Sequence, residues 1–181
     1  MQLSFIKAFH YKLGFILLSL IMLSGCGFHI KLNDGLVEKY PKIYIQSSSP
    51  KGDLVRFVKM RLRGAGIKIE DAPSSDVAIL KIGSVSSSSR TISLYVDATT
   101  AETEKGYNLT YSIQSPGYPA QSFTFNLYRD FLESADEALA KSRESELLTK
   151  EMNSIAADHI MTTLISFQNT PKQPDNNERN E

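Results

Sequence analysis

Tyr107–Leu127 reads YNLTYSIQSPGYPAQSFTFNL, and its two halves carry the same pattern. Tyr107, Leu109, Tyr111 and Ile113 alternate with Asn108, Thr110, Ser112 and Gln114; Phe123, Phe125 and Leu127 alternate with Ser122, Thr124 and Asn126. Successive side chains on a strand point to opposite faces, so a period of two marks antiparallel strands with one buried and one polar face. Pro116-Gly117 between them suits the central positions of a type II turn, where proline presets φ and glycine accepts a positive one. The stretch is a hairpin, and the rest of the chain must cover its apolar side.

Upstream, Val77–Val85 is apolar with Gly83 near a possible bulge. After Ser86–Ser89 the alternation resumes, Ile92, Leu94 and Val96 against Thr91, Ser93 and Tyr95. The serine run reads as a polar or flexible strand segment in preference to a nucleophile site. Pro41–Gln46 (PKIYIQ) is a short strand ended by Ser47-Ser48-Ser49. A helix follows over Gly52–Ala65, with Leu54, Val58, Leu62 and Ala65 on one stripe and Phe57 beside them. Ser49 or Asp53 can cap its start, and Gly64 and Gly66 offer a left-handed stop. Lys59, Arg61, Arg63 and Lys68 gather near its end, where cations complement the helix dipole; that reading is preferred to an anion site.

Downstream, Ser134-Ala135-Asp136-Glu137 has the form of a capping box with Ser134 as N-cap. Leu148, Met152, Ile155, His159, Thr163 and Phe167 then continue a helical stripe, as one long helix or a short one followed by a longer. The order is β-α-β-β-β-α. It implies an α+β fold of two layers: a mixed sheet of about four strands with two helices packed on one face.

At 181 residues, 41% hydrophobic and 22% charged, the chain has the makings of one domain with a real core. Its 20 basic and 20 acidic residues balance, which gives no footprint for nucleic acid. The single cysteine excludes an internal disulfide. Its position explains it. Lys7, His10 and Lys12 precede the apolar run Leu13–Leu23, and Ser24-Gly25-Cys26-Gly27 follows. A basic start, an apolar run and a small-residue exit describe a secretory signal over residues 1–25. A transmembrane helix is the competing reading, but the strongly apolar part stops at Leu23, short of a roughly 20-residue span. Loss of residues 1–25 removes Lys7 and Lys12 and no acid, so the mature chain carries −2.

Leu23-Ser24-Gly25-Cys26 resembles the lipobox of bacterial lipoproteins, in which cleavage precedes the cysteine and its thiol takes a diacylglycerol. The resemblance implies acylation of Cys26 at both nitrogen and sulfur. Each buried CH₂ contributes about 0.8 kcal/mol, so three chains would make release negligible. Gly27 stands where many retained lipoproteins have Asp, which by the same resemblance points to the outer membrane.

Catalytic groupings are scarce. Beyond the signal only His29 and His159 remain, and His159 sits on the apolar stripe of the last helix. Helix-start and surface roles account for Asp136-Glu137 and for Glu144 with Glu146. No phosphate loop, metal-ligand spacing or nucleophile elbow is present, so no enzyme, cofactor or metal is expected.

Gly25-Cys26-Gly27-Phe28-His29 is similar to the start of mature lipopolysaccharide-assembly lipoproteins, the LptE family. Pro116-Gly117-Tyr118-Pro119 resembles that family's hairpin turn, and Tyr128-Arg129-Asp130-Phe131 with Ala138-Leu139-Ala140-Lys141 its approach to the last helix. Lys150-Glu151-Met152 and Ala156-Ala157 resemble the helix itself. The resemblance spans about Leu23–Phe167 and implies a mature globular domain over 26–167; beyond it, residues 168–181 hold two prolines and are otherwise almost all polar, which reads as a disordered tail. It further implies an outer-membrane lipoprotein that plugs an LptD-type β-barrel, lipid-anchored on the periplasmic side with its domain in the lumen. Such a protein helps the barrel fold and assists lipopolysaccharide assembly. Lys141 matches the family's basic lipopolysaccharide contact after Ala-Leu-Ala; where the family has a second, after Ser93-Leu94-Tyr95, this chain has Val96, and the nearest basic residue is Arg90. Two other functions compete: a lipid-anchored scaffold of a different envelope machine, and a periplasmic enzyme of unfamiliar site.

Overall fold

The computed structural model describes residues 34–134 and 137–168. The elements are α1 (Asp34–Lys39), β1 (Lys42–Ser47), α2 (Asp53–Gly64), β2 (Lys68–Glu70), β3 (Ala78–Leu94), β4 (Thr100–Gln114), β5 (Gln121–Leu132) and α3 (Ala138–Ser166). One sheet runs in the order β2-β1-β3-β4-β5. β2 and β3 flank β1 in parallel, and β4 and β5 continue antiparallel, so the sheet is mixed as expected. It has five strands, not about four. The extra one, Lys68-Ile69-Glu70, is too short to display alternation, and only its pairing with Lys42–Tyr44 makes it a strand. The short helix α1 also adds to the expected order; it buries Leu36.

The hairpin forms as its pattern requires. Tyr107, Leu109, Tyr111 and Ile113 are buried, and Phe123, Phe125 and Leu127 pack against the same core. The Tyr118 amide donates to the Ser115 carbonyl at 3.1 Å and Gly117 has φ +79°, which is the type II turn. β3 is continuous through Ser86–Ser89, whose residues pair with Asn108, Tyr107, Gly106 and Lys105. Its register slips between Ile82 and Val85, the bulge expected at Gly83. A Cβ on Gly83 would lie 2.6 Å from the Thr110 carbonyl oxygen, so the two backbones approach there only because the residue is glycine.

Both long helices lie on one face of the sheet and share one core with it. Val58 and Leu62 of α2 meet Ala156, Ala157, Ile160 and Leu164 of α3 over Ile43, Leu80 and Ile113. The expected α3 stripe forms its sheet-side edge. His159 stacks on Phe125 with ring centroids 4.6 Å apart, and Thr163 shares a 2.7 Å hydrogen bond with the Tyr111 hydroxyl. Tyr107 donates to Asn153 Oδ1 at 2.9 Å. Between the helices, Arg61 leaves the expected solvated cluster and turns inward. It donates to both carboxylate oxygens of Asp158, at 2.5 and 2.8 Å, and to Ser154 Oγ at 2.9 Å. At the far end of α3, Lys39 donates to the carbonyls of Phe167 and Leu164, a cation on the negative end of the helix dipole.

The helix starts differ from expectation. Gly52 precedes α2 and Glu137 precedes α3, and neither start carries a side-chain cap hydrogen bond. At α3 the Ser134 capping box is not formed because the helix begins only at Ala138: the Glu133 amide still donates to the Ala101 carbonyl at 2.9 Å, carrying the β4–β5 pairing one residue past Leu132. α3 is a single helix of 29 residues. The signal, Cys26 and the tail beyond Gln168 lie outside the described residues.

Candidate functional site

The hairpin of β3 and β4 runs past the end of the helical layer. Ile92 (41% exposed), Leu94 (59%) and Val96 (fully) therefore stand bare, although their alternation promised a buried face. Register shifts at Thr91/Ser93 and Ser93/Leu94 disturb the ladder at the same place. The hairpin end is closed by the Tyr95 amide donating to the Thr99 carbonyl at 2.8 Å, with Asp97 accepting from the Thr99 amide and hydroxyl.

Where this bare hairpin meets the first turns of α3, an open cleft of about 630 Å³ forms. Ser89 and Thr91 enter it from β3, Thr103 and Lys105 from β4, Phe131 and Glu133 from β5 and its end, and Lys141, Ser142 and Ser145 from α3. Phe131 is its buried floor. Two ammonium groups lie over that ring, Lys105 Nζ at 4.2 Å from the centroid and Lys141 Nζ at 5.4 Å. Lys105 also donates to Ser145 Oγ. Lys141 donates to Glu144 Oε2 at 2.8 Å. That hydrogen bond, with the nearby charges of Glu144, Glu137 and Glu133, holds the Lys141 ammonium above its ordinary pKa. Glu133 accepts from the Thr103 hydroxyl at 3.2 Å.

Lys141, expected to be a solvated surface residue or a contact, is neither fully solvated nor buried: 17% of its side chain is exposed. Arg90 is on the reverse face. Cross-strand neighbours point the same way, and Arg90 pairs with Glu104, to which it donates at 3.0 Å, while the flanking Ser89 and Thr91 face the cleft with Lys105 and Thr103. The fold thus does not bring Lys141 and Arg90 together; it brings Lys141 and Lys105 together. Sequence reading missed Lys105. Its place two residues before Tyr107 marks an inward position of β4, next to the equally inward Thr103, but does not say which ring it faces. Cys26 has no described geometry.

The opposite face of the sheet has a different character. Thr110, Ser122, Thr124 and Asn126 are exposed there, and Asn108 and Ser112 partly so, with no helix over them among the described residues. No described helix is long and apolar enough to cross a membrane.

The profile of a family described as "LptE: Lipopolysaccharide-assembly" matches residues 40–164, from two residues before β1 almost to the end of α3. The chain is 31% identical over 156 residues to a protein of Photorhabdus laumondii called LPS-assembly lipoprotein LptE, covering 86% of each. It is 29% identical over 151 residues to the protein of that name from Pectobacterium atrosepticum, covering 83% of this chain and 82% of the other. Among solved structures, rare lipoprotein B from Shewanella oneidensis superposes with TM-score 0.65 at 40% identity, covering 69% of this chain and 94% of that one. A lipoprotein B from Nitrosomonas europaea shares the fold at TM-score 0.60 and 20% identity, covering 78% of this chain and 92% of that one.

Proposed function

The chain belongs to the LptE family of lipopolysaccharide-assembly proteins, and on that footing we propose that it is an outer-membrane lipoprotein serving lipopolysaccharide assembly as the plug of an LptD-type β-barrel. The observation that carries the plug role is the helix-free face of the sheet. Short hydroxyl and amide side chains cover it over Asn108–Ser112 of β4 and Ser122–Asn126 of β5, and the lumen of a large outer-membrane barrel is itself polar. Such a face fills a lumen through direct and water-mediated hydrogen bonds without stranding apolar surface. Acyl chains on Cys26 hold the protein at the membrane, on the periplasmic side, with the domain entering the barrel. Its work is structural and the role non-catalytic. Lys141 in the cleft, and separately Arg90 on the reverse face, are the candidate lipopolysaccharide contacts.

Tagged protein purified from outer membranes in mild detergent is expected to bring down a large β-barrel in stoichiometric amount. Replacement of Thr110 and Thr124 by Arg should reduce that recovery, because both face the proposed lumen. Recovery of a different envelope assembly without a barrel would replace this reading with the scaffold one.

A further inference from the structure

The outward side of α2 has no part in the function described above. We propose that Lys51, Arg56, Lys59 and Arg63, set around the exposed Met60, form a membrane-contact face that lies on the anionic headgroups of the leaflet holding the Cys26 anchor. The proposal rests on the reading of Cys26 as acylated and adds to it a second contact with the same lipid surface, made by the folded domain.

Charge sets this face apart. Arg56, Met60 and Arg63 recur at i, i+4 and i+7 and stand exposed, with Lys59 between them, while Leu54, Val58 and Leu62 of the same helix are buried. Pro50 and Lys51 extend the stripe beyond the helix start, and the six outward residues line a shallow open cleft of about 400 Å³ that contains no carboxylate. Arg56 is paired with Asp53 at 2.6 Å. Among the described residues, Lys51, Lys59 and Arg63 have no carboxylate within ion-pair distance. Four cations against Asp53 leave the face at +3, on a mature chain that carries −2. A helix face that meets only water ordinarily interleaves both signs. The helix dipole favours Arg63 in the last turn, but it gives no reason for Lys51 at the positive end. Met60, 59% exposed among the cationic stems, is one apolar side chain, which suits contact at headgroup depth and not insertion.

The covalent tether leads to the same end of the domain. α1, where the described chain begins, packs beside the C-terminal end of α2. A Cβ on Gly66 would lie 3.6 Å from Val37, and the Lys68 amide donates to the Pro41 carbonyl at 3.1 Å. Eight residue steps separate Cys26 from Asp34, a reach of at most about 29 Å, against a length of about 18 Å for the 12 residues of α2. An acyl anchor therefore keeps a leaflet within reach of the stripe, and each cation that comes within the screening length of about 8 Å is drawn to an anionic surface. The stripe points away from the sheet, so seating it on lipid leaves the helix-free face of β4 and β5 for the barrel lumen.

The test uses the full acylated chain reconstituted into vesicles, either of phosphatidylethanolamine with phosphatidylglycerol or of phosphatidylcholine alone. A fluorescent thiol probe is attached at Met60→Cys, and its quenching by a headgroup-borne spin label is read. Quenching is expected in the anionic vesicles, absent in the neutral ones, and lost in about 1 M salt, where the screening length falls to about 3 Å. A probe at Thr124→Cys, on the helix-free face, should stay unquenched throughout. Lys59→Gln and Arg63→Gln should each lower the ratio of docked to undocked protein about fivefold, while Lys150→Gln, an exposed cation on α3, leaves it unchanged. Lys59→Arg keeps the charge and should dock as wild type does, which separates a lost contact from a disturbed fold. Wild type should take up no probe, because acylation blocks Cys26; a wild-type chain that does take it up overturns the anchor reading and the proposal with it. Equal quenching in neutral vesicles would mean that the tether alone holds α2 at the surface, and this overturns the proposal while the anchor stands. So does a probe that is quenched in neither vesicle but shielded in the protein purified with its barrel, since the face would then belong to a protein interface.

Discussion

Among the described residues Arg61 is the cation that crosses from α2 to α3, and a double-mutant cycle with Asp158 measures what that crossing contributes. The guanidinium is 19% exposed and the carboxylate 65% exposed, so the pair sits at the edge of the core with one member largely hydrated. Exposed pairs contribute about 0.2–1 kcal/mol, and the two-pronged geometry here, 2.5 and 2.8 Å, places this one near the top of that range. Arg61 also donates to the hydroxyl and carbonyl of Ser154, at 2.9 and 3.2 Å, and lies 5.7 Å from the Phe57 ring centroid. These contacts add about another 1 kcal/mol. Arg61→Met should therefore cost about 2 kcal/mol. Asp158→Ala should cost about 1, because the arginine it abandons keeps Ser154 and reaches water. In a domain of this size the two changes lower Tm by about 4–8 °C and 2–4 °C. Urea unfolding of both single variants and the double variant gives the coupling, expected near 1 kcal/mol. Additive costs, or Asp158→Ala costing more than Arg61→Met, would refute the reasoning.

Three further outcomes are expected. Gly83→Val should destabilise by about 2 kcal/mol or more, since its Cβ would meet the Thr110 carbonyl oxygen at 2.6 Å and neither backbone can yield; thermal melts check this. Burial raises the Tyr107 hydroxyl above its ordinary pKa of 10.0, so above that pH the unfolded chain releases a proton that the folded chain retains, and stability falls with pH. Tyr107→Phe should flatten that alkaline fall in a series of denaturation midpoints between pH 8 and 11, values set by about the ordinary tyrosine pKa. Cys26→Ala should abolish incorporation of a fatty-acid probe and leave uncleaved precursor, and equal labelling of the variant would remove the lipoprotein anchor from the proposal.

The fold was legible where a side chain's surroundings repeat along the chain. Tyr107–Ile113 and Phe123–Leu127 announced their inward faces, and Pro116-Gly117 its turn. Leu54, Val58 and Leu62 did the same for α2. What stayed hidden depended on partners distant in sequence. Lys68-Ile69-Glu70 is a strand because Lys42–Tyr44 lies beside it. Ile92, Leu94 and Val96 alternate like core residues, yet nothing in their own pattern says that the helical layer stops short of them. The cleft was half legible. Lys141 could be singled out through its resemblance to a known motif. Lys105 required the register of three strands to show that it faces the same ring.

β5 is the outermost strand of the sheet, and its pairing with β4 runs from Gln121 to Leu132 without a bulge. Among the described residues no further strand lies beside it, and it contains no proline to interrupt its free row of amides and carbonyls. The opposite margin, β2, is three residues long. All the capacity of this sheet to recruit another chain is therefore on one side, and an unshielded margin is where strands add or copies aggregate. Isolated protein held at high concentration should first self-associate through β5, margin to margin about a two-fold axis, into a ten-stranded sheet, a number that follows from about two five-stranded halves.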